Sequence, residues 1–108
     1  MHETEFLILL QGSTTDRYRH YHVLQGTTIA RFTIQYEALI AGTWQALVRY
    51  DTAHGRAHKD IMRPDGTATK EEFPNFTNAD VLAYEQRDIR TNWREYSRAY
   101  VQAKRRLK

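Results

Sequence analysis

Apolar and polar residues alternate most regularly between positions 29 and 40. Ala30, Phe32, Ile34, Tyr36, Ala38 and Ile40 hold one parity; Arg31, Thr33, Gln35 and Glu37 hold the other. A period of two is that of a strand with one buried face. Ala41-Gly42-Thr43 then turns the chain into residues 44–51. A three-residue loop would pair Ile40 with Trp44, Ala38 with Ala46, Tyr36 with Val48 and Ile34 with Tyr50. A two-residue turn would slip that register and bring Arg49 and Asp51 to the apolar face, so the longer loop is expected. Upstream, Phe6-Leu7-Ile8-Leu9-Leu10 is too short for a helix and reads as a buried strand. Residues 17–24 alternate around Tyr18, His20, His22 and Leu24, a second strand with a wetter face. Downstream, a strand over about 57–62 ends at Pro64-Asp65-Gly66, a turn sequence, and residues 67–70 add a short edge strand.

The period then changes. Leu82, Ile89, Trp93, Tyr96, Tyr100, Ala103 and Leu107 recur at spacings of three, four and seven, which makes one apolar stripe on a helix. Thr77 or Asn78 can cap it, with Asp80 in the first turn where a carboxylate is favoured. Arg87, Arg90, Arg94, Arg98 and Arg105 fall on the opposite side, within about 80° of one another at 100° per residue. These elements predict a single α+β domain over residues 1–108. It has a sheet over about 5–70, a connector over 71–77 and a helix over about 78–106. A twisted antiparallel sheet of five or six strands would bury its apolar face under one long C-terminal helix, in two layers.

Candidate chemistry concentrates in Arg49-Tyr50-Asp51-Thr52-Ala53-His54-Gly55-Arg56-Ala57-His58-Lys59-Asp60. A turn at His54-Gly55, where positive φ is tolerated, pairs Asp51 with His58 and Arg49 with Asp60. Those four side chains then share one face with Thr33, Gln35 and Glu37, away from the helix. His58 oriented by Asp51, with His54 as a second acid/base candidate and Arg49, Arg56 or Lys59 holding phosphate, would suit metal-independent RNA cleavage. His54 and His58 with Asp51 or Asp60 could instead hold a metal. However, an HxxxH spacing is meaningful mainly on a helix, so no metal and no cofactor are expected. The same face could dock a partner, or serve as a solvated surface of cross-strand pairs with Asp51 accepting backbone N–H groups in a turn. Tyr50 points to the core. His20 and His22 could join the site if their strand neighbours 29–40; an exposed edge is the alternative.

Composition narrows the setting. The chain has no cysteine, which excludes disulfides, thiolate catalysis and cysteine-type zinc sites. No apolar run approaches the roughly 20 residues of a membrane span, and the acidic start lacks the cationic region of a signal peptide. A soluble cytoplasmic protein without membrane contact is expected. The net charge of +3 is uneven: residues 87–108 hold eight Lys/Arg against Asp88 and Glu95, a net +6, while the remainder nets −3. A basic end on an acidic body suits RNA or an acidic protein as partner, and is compatible with a homo-oligomer. Cations near a helix C-terminus also complement its dipole without any partner.

The run Arg49-Tyr50-Asp51-Thr52-Ala53-His54-Gly55, followed by His58-x-Asp60, Pro64-Asp65-Gly66 and Asp88-Ile89-x-x-Asn92-Trp93-x-x-Tyr96, resembles a small prokaryotic family of unknown function over roughly residues 32–100. That likeness implies no activity. More distantly, an RYD strand end followed by histidines and a basic helical tail is similar to TumE-type toxins of toxin–antitoxin pairs, although the proline-flanked paired histidines are replaced here by His54-Gly55. That resemblance implies a site of Arg49, Asp51, His54 and His58. The expectation is therefore a nucleic-acid-associated domain with toxin-like RNase activity. The alternative is a non-catalytic protein- or RNA-binding module that uses the polar sheet face and the arginines at 87, 90, 94 and 98.

Overall fold

A computed structural model describes residues 1–107 as six strands followed by one helix. The strands are β1 (His2–Leu9), β2 (Asp16–Gln25), β3 (Thr28–Ile40), β4 (Thr43–Asp51), β5 (His58–Met62) and β6 (Ala68–Glu72); the helix is α1 (Asn78–Arg105). They form one antiparallel meander in chain order, and α1 rests on β3 and β4. This is the expected α+β arrangement, with six strands. Lys108, counted above in the basic end, lies outside the described residues.

The even positions of β3 supply the core. Phe32, Ile34 and Tyr36 are fully buried with Leu47, Val48 and Tyr50 of β4 and Val81 and Ile89 of α1. Thr77 caps the helix: its hydroxyl accepts from the Asp80 N–H at 3.1 Å, and the Asp80 carboxylate accepts from the Thr77 N–H at 3.0 Å. This reciprocal pair satisfies two of the amides a helix start leaves open. Leu107, assigned to the apolar stripe, lies past the helix end and is exposed.

Two strand expectations are corrected. Residues 6–10 are not a buried strand: β1 is the sheet edge, and Phe6, Leu7, Ile8 and Leu9 are 39–56% exposed, with only Leu10 buried. A continuous apolar run carries no information about lateral position, and one helix is too narrow to cover an outer strand. The β3–β4 connection is a two-residue turn, with Ala41 and Gly42 both at positive φ, as such hairpin turns require. Ile40 consequently pairs with Thr43, and Leu39 with Trp44. A bulge at Leu47 then restores the pairs Tyr36–Val48 and Ile34–Tyr50. The extra residue is absorbed because it buries Leu47 and keeps Arg49 and Asp51 off the apolar face.

Helix and sheet are joined by a buried polar cluster. Asp88 of α1 accepts from Tyr50 of β4, from Lys59 of β5 at 3.0 Å, from Asn92 at 2.8 Å and from Tyr96 at 2.8 Å; Lys59 Nζ also donates to the Tyr96 hydroxyl at 2.7 Å. Burial opposes ionisation of Asp88, but these donated bonds outweigh it and hold the carboxyl below the usual range. Burial likewise penalises the Lys59 cation, and its bonds to Tyr96 and Asp88 reverse the effect and raise it. Replacing Asp88 by alanine strands the Lys59 charge and the Tyr50 hydroxyl together, whereas Lys59→Met leaves Asp88 its three neutral donors. In urea unfolding, Asp88→Ala is expected to cost about 4 kcal/mol and Lys59→Met about 2 kcal/mol. An equal or smaller loss for Asp88→Ala would remove Asp88 from the centre of the cluster.

Candidate functional site on the polar sheet face

β4 and β5 pair Asp51 with His58 and Arg49 with Asp60, the expected register. Both strands thereby turn these four residues away from α1. The connection is a 3-10 turn (Ala53–Gly55) in which His54 and Gly55 take φ of 65° and 80°. The Asp51 carboxylate accepts from the Ala53 N–H at 2.9 Å, fixing the end of β4.

His58 is buried and held on both sides. Its Nε2 lies 2.9 Å from Asp51 Oδ1 and 3.6 Å from Asp60 Oδ2, and its Nδ1 lies 3.2 Å from the Arg56 carbonyl. Asp51 thus orients the His58 ring. Neither ring nitrogen, however, is free to face a substrate, which general acid–base catalysis requires.

The remaining assigned residues separate. Arg49 donates from Nε to Gln35 Oε1 at 2.6 Å. Gln35 in turn donates to Glu37, which also receives Arg17 at 2.6 Å and Arg19 at 2.8 Å. Burial works against the Glu37 anion, and the bonds from both arginines outweigh it and lower its pKa. The Arg17 guanidinium also stacks 3.9 Å from the Trp44 ring centroid. His54 is exposed at the turn, and Arg56 is exposed beside a cleft of about 300 Å³ whose lining includes Glu72, Phe73 and Asn78. Lys59 points the other way, to Asp88 under α1, so its ammonium does not share a face with Arg49. Arg87, Arg90, Arg94 and Arg98 are exposed on the outer side of α1, and none forms an ion pair among the described residues. Arg94 lies over the Trp93 ring.

His20 and His22 join neither the site nor an open edge. Their strand neighbours β3, but Tyr18 pairs with Tyr36 and His20 with Ile34, which places them on the helix side. A hydrogen-bonded chain runs from His22 Nδ1 to His20 Nε2 at 2.7 Å, from His20 Nδ1 to the Tyr18 hydroxyl at 3.2 Å, and from that hydroxyl to Glu85 Oε1 at 2.6 Å. Phe6 stacks on His20 at 4.5 Å, and Glu85 has no solvent exposure. Sequence reasoning does not single out Glu85. The signal that could have found it is its position between Leu82 and Ile89 on the apolar stripe, where a carboxylate interrupts the pattern.

The fold is an α+β sheet-and-helix domain with one polar sheet face and one arginine-lined helix face. The chain belongs to the family described as Domain of unknown function (DUF7718), whose model matches residues 1–106. The match agrees with the expectation of a family without an assigned activity and extends beyond the stretch 32–100. No curated protein and no solved structure matches the chain. Among the described residues, no helix is long and apolar enough to cross a membrane.

The chain of groups under β2 makes stability depend on pH in two opposed ways. Burial pushes the Glu85 carboxyl up to about 8, against the pull of the Tyr18 hydrogen bond. The folded state therefore keeps a proton that the unfolded chain releases from pH 4.5 upward, and stability falls as pH rises towards 8. Burial, and then His22, push His20 down to about 4, so acidification from 6.5 towards 4 also costs stability. The two slopes oppose each other between about pH 4.5 and 6.5, and only the Glu85 slope remains above it. Chemical denaturation is expected to lose about 1–2 kcal/mol between pH 6.5 and 8, and Glu85→Gln to abolish most of that loss. A Glu85→Gln profile parallel to wild type would show that Glu85 is not the group responsible.

Proposed function

We propose that this domain binds RNA through the outer face of α1. The observation that carries the reading is the row Arg87, Arg90, Arg94 and Arg98, exposed and without ion pairs among the described residues. Of the carboxylates nearby on the helix, Glu85 and Asp88 are buried on its inner side, and the exposed Glu95, beside Arg94 and three residues from Arg98, forms no ion pair with either among the described residues. The row runs over twelve residues, eleven steps of 1.5 Å or about 16 Å, enough to follow several phosphates. Tyr84, 40% exposed beside Arg87, offers a ring on which a base can stack.

A cleavage reading rests on the likeness of Arg49, Asp51, His54 and His58 to TumE-type toxins. It would require His58 to release Asp51 or the Arg56 carbonyl, since both ring nitrogens are engaged. Binding without cleavage needs no such rearrangement and is the better supported of the two.

Fluorescence anisotropy with a labelled single-stranded RNA tests the proposal. Wild type is expected to bind with steep salt dependence. Arg87, Arg90, Arg94 and Arg98 replaced together by Gln should bind at least tenfold more weakly, with a log–log salt slope shallower by roughly 0.7 for each phosphate no longer neutralised. Full-length RNA should be recovered after incubation with wild type and with His58→Ala, with or without EDTA. Absence of binding at low salt, or an unchanged slope in the fourfold variant, would overturn the proposal and turn attention to an acidic protein partner. RNA shortened by wild type but not by His58→Ala would restore the cleavage reading.

A further inference from the structure

We propose that Asp51, His58 and Asp60 form a binding site for a divalent transition-metal cation. The β4–β5 register sets the three side chains on one sheet face, and one ligand atom from each lies within 4.8 Å of the other two. Two atoms bound at about 2.1 Å to one cation stand roughly 3.0–3.4 Å apart at octahedral or tetrahedral angles. The distances from His58 Nε2 to Asp51 Oδ1 and Asp60 Oδ2 are 2.9 and 3.6 Å, which bracket that separation.

The hydrogen bonding of His58 points the same way. The Arg56 carbonyl can only accept, so the Nδ1 facing it carries the hydrogen. In the neutral ring, the Nε2 lone pair then faces two carboxylates, an arrangement that needs positive charge between them. Donation of the second ring N–H to a backbone carbonyl is how metal-binding histidines are commonly oriented. A proton on Nε2 would bond Asp51 at 2.9 Å but would leave Asp60, at 3.6 Å, beyond hydrogen-bond length. A cation reaches both.

Asp60 is the second, independent sign. Its Oδ1 is shielded from solvent and has no hydrogen-bond donor among the described residues. The cations beside it do not compensate. Arg49, directly across β4, donates to Gln35, and Lys70, across β6, is exposed and forms no ion pair among the described residues. Two carboxylates therefore converge on a single imidazole. Mixed imidazole and carboxylate donors suit Mn²⁺ or Zn²⁺ better than the all-oxygen preference of Ca²⁺ or Mg²⁺. The protein supplies three ligands, leaving the other positions of the cation to water or an anion. The set differs from the His54–His58 pair considered from sequence, because His54 sits at the exposed turn.

The test is Mn²⁺ titration of chelator-stripped protein, read from the electron paramagnetic resonance of the free ion, with Zn²⁺ as competitor. One ion per chain is expected. Asp60→Asn keeps the shape and removes the charge, and should weaken uptake at least tenfold; His58→Gln should do the same. In ¹H–¹⁵N spectra of the histidine rings, Zn²⁺ should shift His58 Nε2 while the Nδ1–H signal persists. No saturable uptake at millimolar ion, or uptake that both variants leave unchanged, would overturn the proposal. So would a His58 ring carrying two N–H protons and indifferent to Zn²⁺, the signature of a clamp held by a proton alone. None of these readouts depends on RNA binding.

Discussion

Asp88 is the carboxylate on which the most bonds between helix and sheet converge. It takes hydrogen bonds from β4 through Tyr50 and from its own helix through Asn92 and Tyr96, and an ion pair from β5 through Lys59. A buried ion pair is weak as a source of stability, because desolvation offsets most of the Coulomb attraction, but it is demanding about geometry. Each donor must arrive within hydrogen-bond length of the same two oxygens. This constraint sets the position of α1 along the meander more tightly than apolar contact could, since Leu, Ile and Val tolerate sliding. It also commits Lys59 to the core and leaves the opposite parity of β5 to His58 and Asp60.

That parity divides the protein's chemistry. On the helix side, polar groups are buried and neutral or tightly paired: Glu85 with Tyr18 and His20, Asp88 with Lys59. On the other side no helix covers the sheet, yet the side chains shield one another. Glu37 lies between two arginines and a glutamine, and His58 between two aspartates and a carbonyl. Pairing of this kind leaves few polar groups on the face unsatisfied. On this face Asp60 Oδ1 is left without a donor among the described residues, and on the outer side of α1 the arginines form no ion pairs among them. Unsatisfied groups of both kinds are where ligands gain most, because the folded protein has already oriented them.

Membership of a family without assigned activity leaves function to be argued from these sites rather than from the fold, which hosts no chemistry of its own. The arginine face and the Asp51–His58–Asp60 cluster lie on opposite layers. In the proposed roles, a polyanion and a cation would each approach its own side of the domain.

Much of this was legible in the sequence. The alternation of residues 29–40, the stripe from Leu82 to Ala103 and the pairing of Asp51 with His58 follow from periods of 2 and 3.6 and from a turn that tolerates positive φ; all are local properties. Opposed arginine and apolar faces of α1 follow in the same way. What only the tertiary structure decided is non-local. The run Phe6–Leu9 lies at an edge because a meander in chain order places the first strand last in line, beyond the width of one helix. A bulge at Leu47 reconciles a short turn with the register that burial demands. Lys59 and Glu85 look like surface residues by type, and each is buried because a partner from a distant segment meets it there. Periodicity assigns a side chain to a face, but which carboxylate, hydroxyl or ring waits on that face is settled only when strands and helix pack.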